Sequence, residues 1–364
     1  MLADLEQLVV CESFSADHAA LARSARVVGA LGTELLGTAP ETLVIDGVSH
    51  LRWSFGPPRV LLLGHHDTVW PTGSLKSRPW SVADGIARGP GVLDMKAGLV
   101  QMFHALASLS SLDGVCVLVN GDEEVGSPTS RTLIEETARG CVAALVLEPS
   151  ANERGALKTA RKGTSRYEVV VHGRAAHAGL EPEKGVNAAI EAAHQVLAIA
   201  GLGASLNLTD SVLGAPTVTP TLLSAGTTLN TVPALARVVV DVRVPSQAAQ
   251  EQIDGLLRAL TPRTSGARLR VRGGMRRRPL EPESSAALFA LAAEIASDLG
   301  QEPLHGMAVG GASDGNCTAG AGCPTLDGLG AVGGGAHADT EHVDVSQLIP
   351  RTRLLAQLIA RTRR

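Results

Sequence analysis

Four short runs of the chain are apolar at consecutive positions rather than alternate ones: RVLLLG (59–64), VCVLVNG (115–121), VAALVLE (142–148) and PTLDGLG (324–330). Strands with no polar face are buried on both sides, as in a largely parallel sheet covered by helices. Segments with helical spacing lie between them. MKAGLVQMFHALASL puts Leu99, Met102, Phe103 and Leu106 on one stripe. SPTSRTLIEETARG opens with Ser/Thr capping residues and closes on Gly140. Strands alternating with helices predict an α/β sandwich.

The pattern then changes. RYEVVVHGRAAHAG, PTVTPTLLSAG and ALARVVVDVRVP read as strands, with the helical GVNAAIEAAHQVLAIAG between the first two. A further helix, SQAAQEQIDGLLRAL, precedes ARLRVRGG. This β-α-β-β-α-β order predicts a small ferredoxin-like α+β domain. We place it at 163–276, interrupting an α/β domain made of 1–162 and 277–364. The α/β pattern resumes afterwards and ends in a helix at SQLIPRTRLLAQLIARTRR.

In an open α/β sheet, ligands bind beyond the carboxyl ends of the strands. The apolar runs deliver polar residues there. His65, His66 and Asp67 follow the first, and Asp122, Glu123 and Glu124 follow the second. The third ends in Glu148, and His337 follows LGAVGGGA. Asp94 sits among glycines in GPGVLDMKAG. Imidazoles and carboxylates gathered at one edge are the donor set of zinc or a pair of zinc-like ions.

Composition narrows the alternatives. With 364 residues the chain exceeds the usual size of a single core. Aromatics are 2% and the formal net charge is -4, which argues against a nucleic-acid partner. The basic run RLRVRGGMRRRP reads as a strand with one solvated face. No apolar run approaches the length of a membrane span. The N-terminus has no basic segment ahead of an apolar core, so no signal peptide is predicted. Five scattered cysteines without a C-x-x-C pair predict reduced thiols in a cytoplasmic protein. The glycine runs GGGAH (333–337) and VGGASDGN (309–316) lack Walker or Rossmann spacing. They read as flexible turns that let backbone amides approach a substrate carboxylate.

Six motifs now stand in order: GHHDTV (64–69), GPGVLDMKAG (89–98), GDEEVGS (121–127), LEPS (147–150), GRAAHAG (173–179) and GAHADTEHVDV (335–345). Together they resemble those of the M20 family of dizinc metallopeptidases and deacylases, over nearly the whole chain. LEPS, GVNA, RRP and GGASD resemble the carboxypeptidase G2 branch. The resemblance implies two zinc ions per chain, with cobalt or manganese as substitutes. It pairs His65 with Glu148 on one and Glu124 with His337 on the other, with Asp94 bridging. It makes Asp67 the carboxylate that orients the His65 ring and Glu123 the general base of amide hydrolysis by hydroxide. Two divalent ions would balance Asp94, Glu124, Glu148 and that hydroxide, leaving Glu123 free to carry a proton.

The resemblance further makes the inserted domain a lid or dimerisation domain, so a homodimer is expected. Its His177 would steady the oxyanion, often across the dimer. Arg278 and Asn230 would bind the substrate's carboxylate. His66 and Asp122 are expected to be structural, as are His172, His194, His305 and His342. The leading reading is hydrolysis of an amide beside a free carboxylate in an N-acyl or peptidyl amino acid, with C-terminal glutamate as one form. An acetylornithine- or succinyl-diaminopimelate-type deacylase, a dipeptidase, and a non-catalytic binding protein on the same scaffold stay open.

Overall fold

The Val60–His65 strand lies at the heart of a six-stranded sheet, and each of its residues is buried. It pairs in parallel with Val115–Asn120 on one side and Ala143–Val146 on the other. Thr325–Leu326 extends the sheet in parallel beyond Ala143–Val146. The other edge is an antiparallel hairpin, Glu41–Ile45 with Val48–Phe55, which joins Val115–Asn120. The computed structural model describes residues 1–206 and 208–363. It divides into two units: Met1–Ala160 with Leu280–Val309 and Ser313–Arg364, and Arg161–Pro279 with Gly310–Ala312.

The first unit is an α/β sandwich whose core follows the apolar runs. Leu62, Val117 and Leu145 face one side of the sheet with Trp53. Leu61, Leu63, Cys116, Leu118, Ala144 and Val146 face the other, over Ile134 and Ala138. The predicted helical stripe forms the Ala97–Ala107 helix, and Leu99, Met102, Phe103 and Leu106 are fully buried. Each such burial is worth roughly 1.5–3 kcal/mol. The Leu348–Thr362 helix packs against it.

Two local expectations change. Ser130, at the start of the Arg131–Ala138 helix, makes no side-chain capping hydrogen bond. Asp122 instead accepts the amides of Thr129 (2.7 Å) and Ser130 (3.2 Å) and the Thr129 hydroxyl (2.7 Å). An acidic group from the neighbouring strand end thus satisfies donors just ahead of that helix. The VGGASDGN segment is also more fixed than a flexible turn. Ser313 Oγ donates to Asp327 (2.6 Å), and Asn316 Oδ1 accepts the Ser313 amide (2.9 Å). Asp314 is buried at the start of the Gly315–Gly320 helix.

The second unit is a four-stranded antiparallel sheet in the order Thr217–Ala225, Leu235–Val244, Gly163–His172, Arg268–Arg277. Two helices, Ala188–Ser205 and Gln247–Arg258, cover one face. Asn187 Oδ1 caps the first by accepting the amides of Ala189 (2.9 Å) and Ile190 (3.2 Å), and Ser246 Oγ caps the second. Period-two alternation decides the faces: Tyr167, Val169 and Val171 point to the helices with Val238, Val240 and Val242. Along the Arg268–Arg277 edge strand, Leu269 and Val271 pack against this core while Arg268, Arg270 and Arg272 are exposed. Among the described residues no helix is long and apolar enough to cross a membrane. The five cysteines are free.

Candidate metal centre

Parallel strands end on the same side, so the loops after Val60–His65, Val115–Asn120 and Ala143–Val146 meet at one edge of the first unit. His65 Nε2 stands 3.3 Å from Asp94 Oδ1 and 3.5 Å from Glu148 Oε1. His337 Nε2 stands 3.4 Å from Asp94 Oδ2 and 3.2 Å from Glu124 Oε2. Asp94 therefore turns one oxygen toward each histidine. Each histidine also faces a glutamate of its own.

Glu123 and Glu124 occupy a single 3₁₀ turn, Glu123–Val125, rather than a strand end. The turn sends them apart: Glu124 toward His337, and Glu123 to a cluster with His65 and Glu148 whose donor atoms lie within 4.8 Å of one another. The turn is held from below by Asp67. Its Oδ1 accepts the Glu123 amide and its Oδ2 the Glu124 amide, each at 3.1 Å, and Ser15 Oγ donates to Oδ2 at 2.8 Å. His65 Nδ1 lies 3.0 Å from the Asp67 main-chain carbonyl and 3.4 Å from its carboxylate. Asp67 thus holds the ring chiefly through its carbonyl, while its carboxylate positions the glutamates. His66 faces away and is buried, with Nε2 on the Ser49 carbonyl (2.9 Å) and Nδ1 near Ser24 Oγ (3.2 Å).

The electrostatics are those of a site short of positive charge. Burial alone would push the His65 imidazole down, yet Asp67, Asp94 and Glu148 hold it well above its ordinary value. Asp94 and Glu124 draw His337 up to about 10. Burial, with the Asp94 charge beside it, raises Glu124 to about 7, although His337 opposes this. Burial would raise Asp94, but His337 and His65 hold it far below the usual carboxylate range. His65 Nε2, Asp94 Oδ1 and Glu124 Oε1 are buried without a hydrogen-bond partner. Buried polar atoms left unsatisfied are costly, and several converging here call for a cation. Imidazole nitrogen with carboxylate oxygen suits zinc, cobalt or manganese, so the residues present fit a metal centre.

A cavity of about 550 Å³ opens beside Asp94 and is bordered by Pro149, Asn152, Arg154, Lys158 and Gly333–Gly334. Lys158 Nζ lies 3.4 Å from Glu148 Oε2. The sequence reading passed over Lys158, a half-buried lysine in the Leu157–Arg161 strand. It also passed over Asp314, which accepts Asn120 Nδ2 (2.8 Å) and Ser127 Oγ beneath the glutamate turn.

His177, Asn230 and Arg278 belong to the second unit. His177 and Asn230 lie on adjacent segments: the Ala178 amide donates to the Asn230 carbonyl (2.9 Å), and His177 bridges Thr231. His177 Nδ1 accepts the amides of Gly179 and Leu180, both at 3.1 Å. A nitrogen that accepts twice carries no proton, so the Nε2 of this exposed ring is the N–H donor. Arg278 is exposed just past the Arg268–Arg277 strand.

The chain is similar to known proteins in sequence and in fold. Carboxypeptidase G2 of Pseudomonas sp. (strain RS-16) is 30% identical over 98% of this chain and 87% of its own. Succinyl-diaminopimelate desuccinylase of Methylorubrum populi is 26% identical over 84% of this chain and 82% of its own. The fold matches that of the M20 family metallo-carboxypeptidase Sso-CP2 from Sulfolobus solfataricus, with a TM-score of 0.76 and 15% identity over 100% of this chain and 99% of that one. It also matches aminopeptidase PepT from Bacillus cereus, with a TM-score of 0.74 and 22% identity over 100% and 98%. The sequence pattern of peptidase family M20/M25/M40 matches residues 61–361, from the central strand to the last helix. With its α/β fold and its full-length relatives, the chain belongs to that family.

Proposed function

We propose that the protein is a dizinc hydrolase that cleaves an amide bond beside a free carboxylate, in the manner of the carboxypeptidase G2 branch. The observation that carries this reading is the split of Asp94 between His65 with Glu148 and His337 with Glu124. His65 and Glu148 would hold one ion, His337 and Glu124 the other, and Asp94 both. When bound, the ions would supply Lewis-acid polarisation of the scissile carbonyl and would acidify water.

The chain's own residues do the rest. Glu123 takes a proton from the attacking water and returns it to the departing amine. Asp67 and Ser15 keep the Glu123–Glu124 turn in place for this transfer. The His177 Nε2–H offers the donor that a tetrahedral oxyanion needs. Arg278 and Asn230 receive the substrate carboxylate, and a fork-like guanidinium is well suited to it. Lys158 and Arg154 at the cavity beside Asp94 support an anionic substrate. In this reading residues 163–276 form a lid and dimerisation domain, His177 acts on the partner's site in a homodimer, and the enzyme works in the cytoplasm. Substrates are N-acyl or peptidyl amino acids, with C-terminal glutamate as the leading form.

The test is metal content together with hydrolysis of benzoyl- and folate-type glutamates, N-acetyl-ornithine, N-succinyl-diaminopimelate and simple dipeptides. About two ions per chain and turnover of the glutamates that disappears in Glu123→Ala would establish the reading. Preference for N-succinyl-diaminopimelate or N-acetyl-ornithine would move the protein to the deacylases. No turnover with zinc, cobalt or manganese would leave a binding protein on this scaffold.

A further inference from the structure

Glu341 is a buried carboxylate, 5% exposed, on the loop that carries His337. Its two oxygens receive four N–H groups. Oε1 accepts the amides of Leu93 (2.9 Å) and Asp94 (3.1 Å). Oε2 accepts the Gly91 amide (3.0 Å) and the Trp70 indole (2.7 Å). An ionised carboxylate offers about four lone-pair sites, and here every one faces a donor. One side chain thus ties together three loops: the one after His65 and Asp67, the one that presents Asp94, and its own.

We propose that Glu341 is a positioning residue for the metal centre, setting Asp94 between His65 and His337 before any ion arrives. The proposal rests on the metal reading above. Asp94 must address both histidines at once, so a small rotation of its loop breaks one side of the centre. The amide of Asp94 itself is among the four donors, which leaves that rotation little freedom. The competing account is a staple that contributes stability alone. The two differ in what metal does. A staple lowers the melting temperature of metal-free and metal-loaded protein equally. A positioning residue also shrinks the rise that metal produces.

Glu341→Gln is the sharpest probe. It keeps the shape, but whichever way the amide is turned its NH₂ confronts two N–H donors. Zinc would be titrated into metal-free wild type and variant by competition with a chelator, and the melting temperature recorded with and without zinc. We expect zinc affinity to fall about 10–100-fold, with a smaller zinc-induced rise. Zinc affinity equal to that of wild type, with both melting temperatures lowered together, would overturn the proposal and leave the metal reading intact. A wild type that binds no zinc would overturn both. Should Glu341→Gln fail to fold, Trp70→Phe removes one donor and keeps a ring for Arg78, now 4.4 Å from the Trp70 centroid. It should weaken zinc about threefold to tenfold, and unchanged affinity there would also overturn the proposal.

Discussion

Gly98 lies against the main-chain carbonyl of Leu147 so closely that a Cβ at this position would collide with that oxygen. Gly98 opens the helix that follows Asp94, and Leu147 precedes Glu148. The contact therefore sets the spacing between two of the carboxylates at the centre. Backbone cannot swing aside as a side chain can. Gly98→Ala should cost about 1–3 kcal/mol of stability, as overpacking does. It should also weaken zinc binding, because Glu148 is pushed away from Asp94. Denaturant unfolding of the metal-free protein and a zinc titration separate the two effects. An alanine variant with wild-type zinc affinity would show that the spacing is not critical.

The carboxylate of Asp67 accepts the amides of both glutamates in the turn. Asn at this position must present an NH₂ to one of them. Asp67→Asn should therefore disturb Glu123 and Glu124 more than it disturbs His65, whose Nδ1 leans on the main-chain carbonyl of residue 67. We expect kcat to fall about 10–100-fold with KM moving less, as for other partners that orient a metal site. A KM effect with unchanged kcat would place the role of Asp67 elsewhere.

Metal must displace protons from this site. His337 is drawn up to about 10, so its ring is cationic at pH 8 in the metal-free protein, and His65 is held well above its ordinary value by the carboxylates around it. A ring that binds metal must be neutral. Zinc binding at pH 8 should therefore release protons, and affinity should climb as pH rises toward 10. Below about 7 Glu124 also holds a proton, so affinity should fall more steeply there. Calorimetry in buffers of different ionisation enthalpy reads the release directly. Its absence at pH 8 would contradict the carboxylate-rich site.

Much of this was legible along the chain, for a physical reason. Strands buried on both faces need unbroken apolar runs, and their ends fall at one edge of the sheet. Hence His65, Glu123, Glu124 and Glu148 could be read at that edge from local sequence. The Glu41–Ile45 and Val48–Phe55 hairpin was missed, although Asp46 and Gly47, both with positive φ, carry the usual two-residue turn signal. Other features had no local signal. Asp122 serves amides seven and eight residues away. Three of the four donors to Glu341 are main-chain amides, which no residue identity marks. The contact between Gly98 and Leu147 joins segments that are adjacent only once folded.

His66 offers a pH test that is independent of the metal. Burial pushes its imidazole down to about 4 from an ordinary 6.5. Between those values the unfolded chain binds a proton that the folded chain refuses. Stability from this group is therefore fully present above 6.5 and is lost as pH falls toward 4, by roughly 3 kcal/mol in all. Glutamine places an amide nitrogen near the position of the imidazole Nε2 and can donate to the Ser49 carbonyl without titrating. Unfolding free energies of metal-free wild type and His66→Gln should be compared at pH 8 and pH 5. Groups common to both cancel, and wild type should lose about 2 kcal/mol more than the variant. Equal losses would mean that the folded protein admits the proton, by charging His66 or by opening the Ser24–Ser49 pocket to water.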